Sequence, residues 1–299
     1  SASLYETKII HYKILSTHAY TSGSLQNSHK YLYETEKLME AHPEKISENI
    51  LSYLNTLSNR VILFCEQKKY TDASNYIIKL RNAPQKYGII PDETLQVFIF
   101  ERTCTSELDI SIATGQFQKG IKAIPEIMVM TERLGDKIRE KATVHFIYYT
   151  VASLYFANTE YNKALEWVGK LINFAKSDNY GQDVFCFARI LNLIIHFELK
   201  NDDVLPYIIK STYRYLYKRD RLYKVESAIL QFLRKKTPKI HTQKEIVFAF
   251  KELKQDIEQI IKDPFEKRAM DFFDFISWLE SKITNRTFAE ILKEKATLN

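Results

Sequence analysis

Residues with side chains that could bind a metal or attack a substrate are scattered along this chain. The seven histidines form no HExxH array, and no two of the three cysteines have zinc-ligand spacing. His145 and Cys186 each stand inside an apolar run, where a packed imidazole and a small buried thiol are the simpler interpretations. Three widely spaced cysteines also indicate a reducing compartment rather than a disulfide framework. The sequence therefore predicts no metal site and no cofactor.

Motifs for phosphate binding and acyl transfer are also missing from the sequence. The two closest glycines are Gly115 and Gly120, and no Lys-Ser or Lys-Thr follows them as in a phosphate-binding loop. No Gly-x-Ser-x-Gly occurs. Residues for general acid–base chemistry converge only in space, and the sequence offers no candidate pair. We therefore expect no catalytic residues and a protein that is not an enzyme.

Positive charge is concentrated in residues 210–239. This segment has ten Lys and Arg residues but only two acids, a net +8, against +6 for the whole chain. Tyrosines interleave with the cations, and such a pattern can bind phosphates and stack on bases. Alternatively, the tyrosines pack inside the fold and the Lys and Arg stems lie over them, which the helical spacing of the rings favours. The residues predicted to form a positive, anion-binding surface are Arg214, Lys218, Arg219, Arg221 and Lys224.

Helices are the elements expected to position all of these residues. Apolar residues make up 45% of the 299, enough for a packed core, and only seven glycines and seven prolines occur. No alternating strand pattern persists. No run reaches the roughly 18 apolar residues of a membrane-spanning helix, and no signal-peptide pattern opens the chain. The sequence predicts an all-α, cytoplasmic protein, and whether a domain precedes Ser1 stays open.

The clearest helical unit lies in residues 146–175 and turns back on itself at Asn158–Glu160. After the turn, a ring at Tyr161 stands three residues before Ala164, and the small side chain lets the second helix lie close to the first. Before the turn, apolar residues recur at i, i+3, i+4 and i+7, the stripe of an amphipathic helix; they are Tyr148, Val151, Ala152 and Tyr155.

This unit resembles a tetratricopeptide repeat, whose first helix carries an aromatic, a leucine, a small residue and a tyrosine. The family's later alanine and closing proline are replaced by Leu171 and Lys176. The ring-and-small-residue pair recurs at Tyr70 and Phe117, each about 45 residues from the next. This period is longer than the roughly 34 residues of the standard repeat, which indicates longer helices or looser turns.

The resemblance implies an α-α superhelix of about five antiparallel helix pairs over residues 1–218, followed by a C-terminal helical cap at 219–299. In the cap we expect one continuous helix from Phe265 to Leu279, and exposed helix faces there leave a dimerisation or docking role open. The predicted pairs are 3–20 with 25–41, 44–67 with 70–87, 91–114 with 117–134, 137–157 with 161–178, and 182–199 with 203–218.

The resemblance also implies a binding surface, because the first helices of stacked pairs line a concave groove. In tetratricopeptide-like proteins this groove commonly takes an extended peptide or a helix. The places where chaperone-binding members hold a carboxylate carry Tyr149 and Ser153 here, so we expect an apolar rather than an acidic partner segment. The predicted groove residues are Phe146, Tyr149, Ser153, Phe156, Ile190, Ile194 and Phe197.

The sequence therefore predicts a non-catalytic scaffold that binds a protein or peptide. One alternative is a nucleic-acid or phosphate-binding module that uses residues 210–239, whose binding would weaken steeply with salt. Another is the sensor part of a peptide-responsive regulator whose DNA-binding domain lies outside this sequence. The oligomeric state is left undetermined.

Overall fold

In a computed structural model of the chain, the described residues are 2–134, 141–174, 182–220, 222–239 and 242–298. Every regular element within these ranges is helical, which confirms the predicted all-α class. The α-helices are α1 Ala2–Thr21, α2 Leu25–Glu40, α3 Pro43–Glu48, α4 Ile50–Glu66, α5 Tyr70–Lys86, α6 Glu93–Ala113, α7 Phe117–Leu134, α8 Lys141–Ala157, α9 Tyr161–Phe174, α10 Gln182–Glu198, α11 Leu205–Tyr217, α12 Lys224–Lys235, α13 Gln243–Ile260, α14 Pro264–Lys267, α15 Phe275–Thr284 and α16 Phe288–Leu298.

The chain divides into two compact units. Unit 1 comprises residues 1–110 and 130–138, and unit 2 comprises residues 111–129 and 139–299. Helices that are neighbours in sequence pack directly on each other within each unit, as do α1 with α2 and α4 with α5 in unit 1, and α8 with α9 and α10 with α11 in unit 2. The segment predicted as a C-terminal cap, 219–299, lies within unit 2.

Unit 1 is built around α4, whose apolar side is completely buried at Tyr53, Leu54 and Leu57. A charged network lies beside this core. Nε of Arg60 lies 3.3 Å from Oε2 of Glu36, and both side chains are buried. Burying two opposite charges removes them from water, and the close contact between them offsets part of that cost. Lys79 of α5 also pairs with Glu36, so this network is a structural feature of the packing of α2, α4 and α5.

Unit 2 is built around α8 and α10, which are apolar on nearly every side. Both helices are therefore expected to be interior, and their side chains are indeed among the most buried in the described chain, such as Val151, Phe156, Phe185 and Ile194. Ala164, in the first turn of α9, is fully buried, so its small side chain lies at a helix contact.

Two predicted helices are interrupted by capping side chains. The predicted helix 44–67 is divided at Asn49, whose side chain accepts a hydrogen bond from the Ser52 amide at 3.2 Å. The predicted continuous helix from Phe265 to Leu279 is wrong: a 3-10 turn, Arg268–Asp271, separates α14 from α15. Oδ1 of Asp274 accepts from the Ser277 amide at 2.9 Å and so starts α15 anew.

Candidate functional site

The C-terminal segment, residues 272–293, packs on the residues that were predicted to line a partner groove. The hydroxyl of Tyr149 donates to the backbone carbonyl of Phe272 at 3.1 Å. The ring of Phe272 stacks on Phe187 with centroids 4.1 Å apart, and on Phe146 at 6.2 Å. Phe272, the first residue of this segment, therefore contacts both α8 and α10.

Further along the segment, the same pattern continues. The ring of Phe156 lies 5.4 Å from Phe273 and 5.5 Å from Phe288. The ring of Phe197 lies 6.2 Å from Trp278. Four of the seven predicted groove residues thus contact the chain's own C-terminal segment. Of the others, Ile190 and Ile194 are buried and Ser153 is half-buried.

The expected open aromatic groove is therefore not present at these positions, where the side chains are buried or contact the chain's own C-terminal segment, apart from the half-buried Ser153. Phe146 alone keeps a substantial exposed fraction, 39%. The physical reason is that the C-terminal segment is rich in aromatic residues and covalently tethered. A tethered apolar segment is present at an effective concentration that a separate partner does not reach.

The five residues predicted to bind anions are placed in different settings. The guanidinium of Arg219 lies 3.8 Å from the ring centre of Tyr215, and the Nζ of Lys224 lies 4.0 Å from Oδ2 of Asp263. Arg214 and Lys218 are exposed, and Arg221 lies outside the described residues. Of the predicted set, only Arg214 and Lys218 are thus seen as exposed cations without an ion-pair partner among the described side chains.

An open cleft in unit 2 has a volume of about 1510 Å³. It is lined by residues of α11, α12, α13 and α15, with the ends of α10 and α16. Its floor is apolar because α11 and α12 are amphipathic and turn their apolar faces inward. The buried floor residues are Leu205, Ile209, Leu230, Leu233 and Phe250.

The rim of this cleft is positively charged. Six cations and three acids line it, an excess of three positive charges. Three of the cations, Lys210, Arg234 and Lys235, belong to the segment that the sequence marked as basic. The others are Lys200, Lys282 and Arg286, and the acids are Glu198, Asp202 and Glu290.

Two of the three acids are already engaged by other groups. Glu198 accepts from the Trp278 indole N–H at 2.7 Å and pairs with Lys282. The Glu290 carboxylate accepts hydrogen bonds from the backbone N–H and hydroxyl of Thr287, which lower the pKa of Glu290. The hydrogen bonds from Thr287 leave Glu290 ionised, so Asp202 and Glu290 both remain to balance the four rim cations that have no ion-pair partner among the described residues. These cations are Lys200, Lys210, Arg234 and Lys235.

The tyrosines of α11 add to this surface. Tyr207, Tyr213 and Tyr217 are 77%, 44% and 66% exposed, so the interpretation that the tyrosines of this segment pack in the core is wrong for these three. Tyr213 lines the cleft and stacks on Tyr217 with ring centroids 5.9 Å apart. Sequence reasoning missed this because tyrosines on both sides of the helix share the same short segment, and the stripe alone does not tell which side faces the core.

Two of the three cysteine thiols are poor nucleophiles. Burial raises the pKa of the Cys65 thiol to about 11 and that of Cys104 to about 12, so both stay protonated and poorly nucleophilic at neutral pH. The described side chains include no group of three or more His, Cys, Asp or Glu residues that could hold a metal ion. Among the helices as described, none is both long enough and apolar enough to cross a membrane.

Comparison of the chain with protein-family models gave no match, and comparison with curated proteins gave none either. The cleft geometry is therefore the main guide to function.

Proposed function

We propose that this protein is a non-catalytic scaffold and that the unit 2 cleft binds a segment of a partner protein. The observation that supports this proposal is the open cleft of about 1510 Å³ with an apolar floor on α11, α12 and α13. Its volume exceeds the roughly 300–1,000 Å³ of pockets that enclose small molecules. A polypeptide segment that inserts several apolar side chains is the better match in size.

The floor supplies the binding energy in this proposal. Pro206, Leu222 and Ile246 line the cleft and are exposed or half-buried, so they present apolar surface that a partner's side chains would cover. Each fully buried apolar side chain contributes roughly 1.5–3 kcal/mol, so two or three anchors give a specific complex. Helix-in-groove recognition uses anchors of this kind.

The walls of the cleft are held in place by contacts within unit 2. α15 forms one wall and is tied to the end of α10 through the Trp278–Glu198 hydrogen bond. On α13, Phe250 packs edge-on against Phe232 of α12, with ring centroids 4.8 Å apart. A preformed cleft binds without a large ordering cost, which favours recognition of a short segment.

The test begins with peptide selection from a random displayed library on the immobilised chain. Affinities of the selected peptides are then measured by fluorescence anisotropy for the parent and for two variants of α13. Ile246→Arg places a charge in the cleft, where Ile246 is half-buried. Phe248→Arg makes the same substitution two residues away, at a side chain that is 65% exposed and does not line the cleft.

We expect Ile246→Arg to weaken binding at least about tenfold, because an apolar contact is lost and a charge is desolvated. Phe248→Arg should bind like the parent. Equal binding by the parent and Ile246→Arg would place the peptides elsewhere and refute the cleft as the site.

A further inference from the structure

We infer that the partner segment is acidic as well as apolar, with carboxylates that contact the rim of the cleft while apolar side chains enter it. This inference rests on the proposed function above and adds the charge of the partner. It departs from the expectation, based on the sequence, of an apolar rather than an acidic partner segment.

The outward side of α11 carries cations and tyrosines and no acid. With successive residues rotated by about 100° around a helix, six positions fall within one sector of about 140°. α11 contains no Asp or Glu. The residues of this sector are Tyr207, Lys210, Tyr213, Arg214, Tyr217 and Lys218, and all six are exposed.

Four of the six rim cations have no acid beside them among the described residues, unlike several other cations of unit 2. Lys236 pairs with Glu252 at 3.2 Å, and Lys254 and Lys295 both pair with Glu280 at 2.8 Å. By contrast, Lys210 and Arg234 have no ion-pair partner within the described ranges. Like charges that share a rim repel each other, and an anionic partner removes that repulsion on binding.

The chemistry of the rim matches carboxylates in particular. Arg234 presents a planar guanidinium that holds a carboxylate through two parallel hydrogen bonds. Lys210 and Lys235 supply ammonium groups that tolerate several geometries, and the Tyr213 hydroxyl adds a neutral donor. A segment with acidic residues between apolar anchors satisfies both the rim and the floor.

A nucleic acid satisfies the rim but not the floor. Single strands are held by a continuous positive track with stacked bases, and a phosphate follows every nucleotide. Here the cations surround an apolar floor, and Asp202 lies in the same lining. The observations therefore favour an acidic peptide, and binding of a nucleic acid is an outcome that the test can detect.

The test uses three fluorescent peptides of equal length that share the same apolar residues and carry Glu, Gln or Lys between them. Single-stranded oligothymidylate is the fourth probe. Anisotropy titrations at low and physiological salt use the full chain and two triple variants. The rim variant is Lys210→Gln, Arg234→Gln and Lys235→Gln. The matched control is Lys244→Gln, Lys251→Gln and Lys267→Gln, three exposed lysines that do not line the cleft.

We expect the Glu peptide to bind most tightly and the Lys peptide least, with the Glu-peptide affinity falling as salt is added. The rim variant should lose about tenfold or more of the Glu-peptide affinity and keep that of the Gln peptide, whereas the control variant should match the parent. All six substitutions are at exposed residues, so thermal melts should show that each variant folds.

Each other outcome has its own meaning. Equal affinities for the Glu and Gln peptides overturn this inference but leave the proposed function standing, provided Ile246→Arg still weakens both. If the parent protein binds none of the three designed peptides, the inference is overturned. The peptides selected from the random library then test the proposed function separately. Tightest binding of oligothymidylate, abolished in the rim variant, overturns the acidic-peptide inference in favour of a nucleic acid.

Discussion

Trp278 donates its indole N–H to Oε1 of Glu198 at 2.7 Å, across 80 residues of chain. The other carboxylate oxygen of Glu198 pairs with Lys282, one turn further along α15. Trp278 is fully buried and packs edge-on against Phe250. This contact joins α15 to the end of α10, so it fixes one wall of the cleft and keeps the C-terminal segment on the face of α8 and α10.

Removing the Trp278 side chain should therefore destabilise the protein strongly. We expect Trp278→Ala to lower the free energy of unfolding by about 3–5 kcal/mol, the range for large aromatic deletions. Trp278→Phe keeps a ring but leaves one Glu198 oxygen without its donor, for about 1–3 kcal/mol. Urea unfolding followed by circular dichroism measures both. The control is Trp167→Phe, at a half-buried ring of α9. If Trp167→Phe lowers the free energy of unfolding as much as Trp278→Phe does, the anchoring role of Trp278 is contradicted.

Gly120 on α7 should resist replacement by alanine. A Cβ built there would lie 2.8 Å from Cδ2 of Leu154 and 2.9 Å from Cβ of Ser111, closer than real contacts allow. We expect Gly120→Ala to lower the free energy of unfolding by about 1–3 kcal/mol through overpacking. Gly169→Ala in α9 meets nothing within 4 Å and should instead raise it by about 0.5–1 kcal/mol. Thermal melts of both variants test this, and the same sign for both would refute it.

His29 should make unit 1 less stable in mild acid. Nη1 of Arg60 lies 3.0 Å from Nε2 of His29, and in the neutral imidazole this nitrogen accepts the hydrogen bond. Burial, and then the Arg60 charge, lower the pKa of His29. The folded state therefore binds a proton less readily than the unfolded state, so stability falls as pH drops through about 6.5.

We expect His29→Gln to remove this component of the pH dependence. Urea unfolding of the parent and the variant at about pH 7.5 and about pH 5 measures it as a difference in slope. The pKa of His196 is also lowered by burial, but that residue is present in both proteins and cancels in the difference. Parallel pH profiles would show that His29 has no part in the effect.

Glu226 should make the protein less stable as pH rises, the opposite of the effect of His29. Its side chain is buried in α12, and burial, reinforced by Glu266 and Asp183, raises the pKa of Glu226 to about 7. The folded state holds this proton more tightly than the unfolded state, so stability falls as pH rises from about 4.5 through about 7. Glu226→Gln should therefore stabilise the protein at about pH 8 more than at about pH 5.

The matched control for Glu226 is Asp256→Asn, at an exposed acid of α13. Thermal melts of the parent and both variants across this pH range give the comparison. A stabilisation of Glu226→Gln that does not change with pH would mean that the carboxyl does not titrate in the folded protein near neutrality.

Local features of the sequence were sufficient to predict where several helices begin. α5 begins at Tyr70 and α9 at Tyr161, the positions that the ring-and-small-residue spacing predicted. The small residue at Gly120 is needed where Leu154 approaches it. Helix periodicity and close helix approach depend on residues a few positions apart, so they can be inferred from the sequence. The interruption at Asp274 was missed because a capping carboxylate competes with helix continuation only when its side chain reaches back to the backbone.

Only the tertiary structure decided which apolar helix faces are buried and which cations have an acid beside them. The apolar stripe that includes Tyr149 and Phe156 is compatible with both an open groove and a buried helix contact. The stripe shows that the helix is amphipathic, but it does not show which element covers its apolar face. Phe272 and Phe273 cover it from more than 100 residues away in the chain. Likewise, Lys236 and Lys235 are adjacent and identical, yet only Lys236 meets an acid, Glu252, on another helix. Sequence determines helices through local spacing, whereas surfaces arise from long-range packing between them.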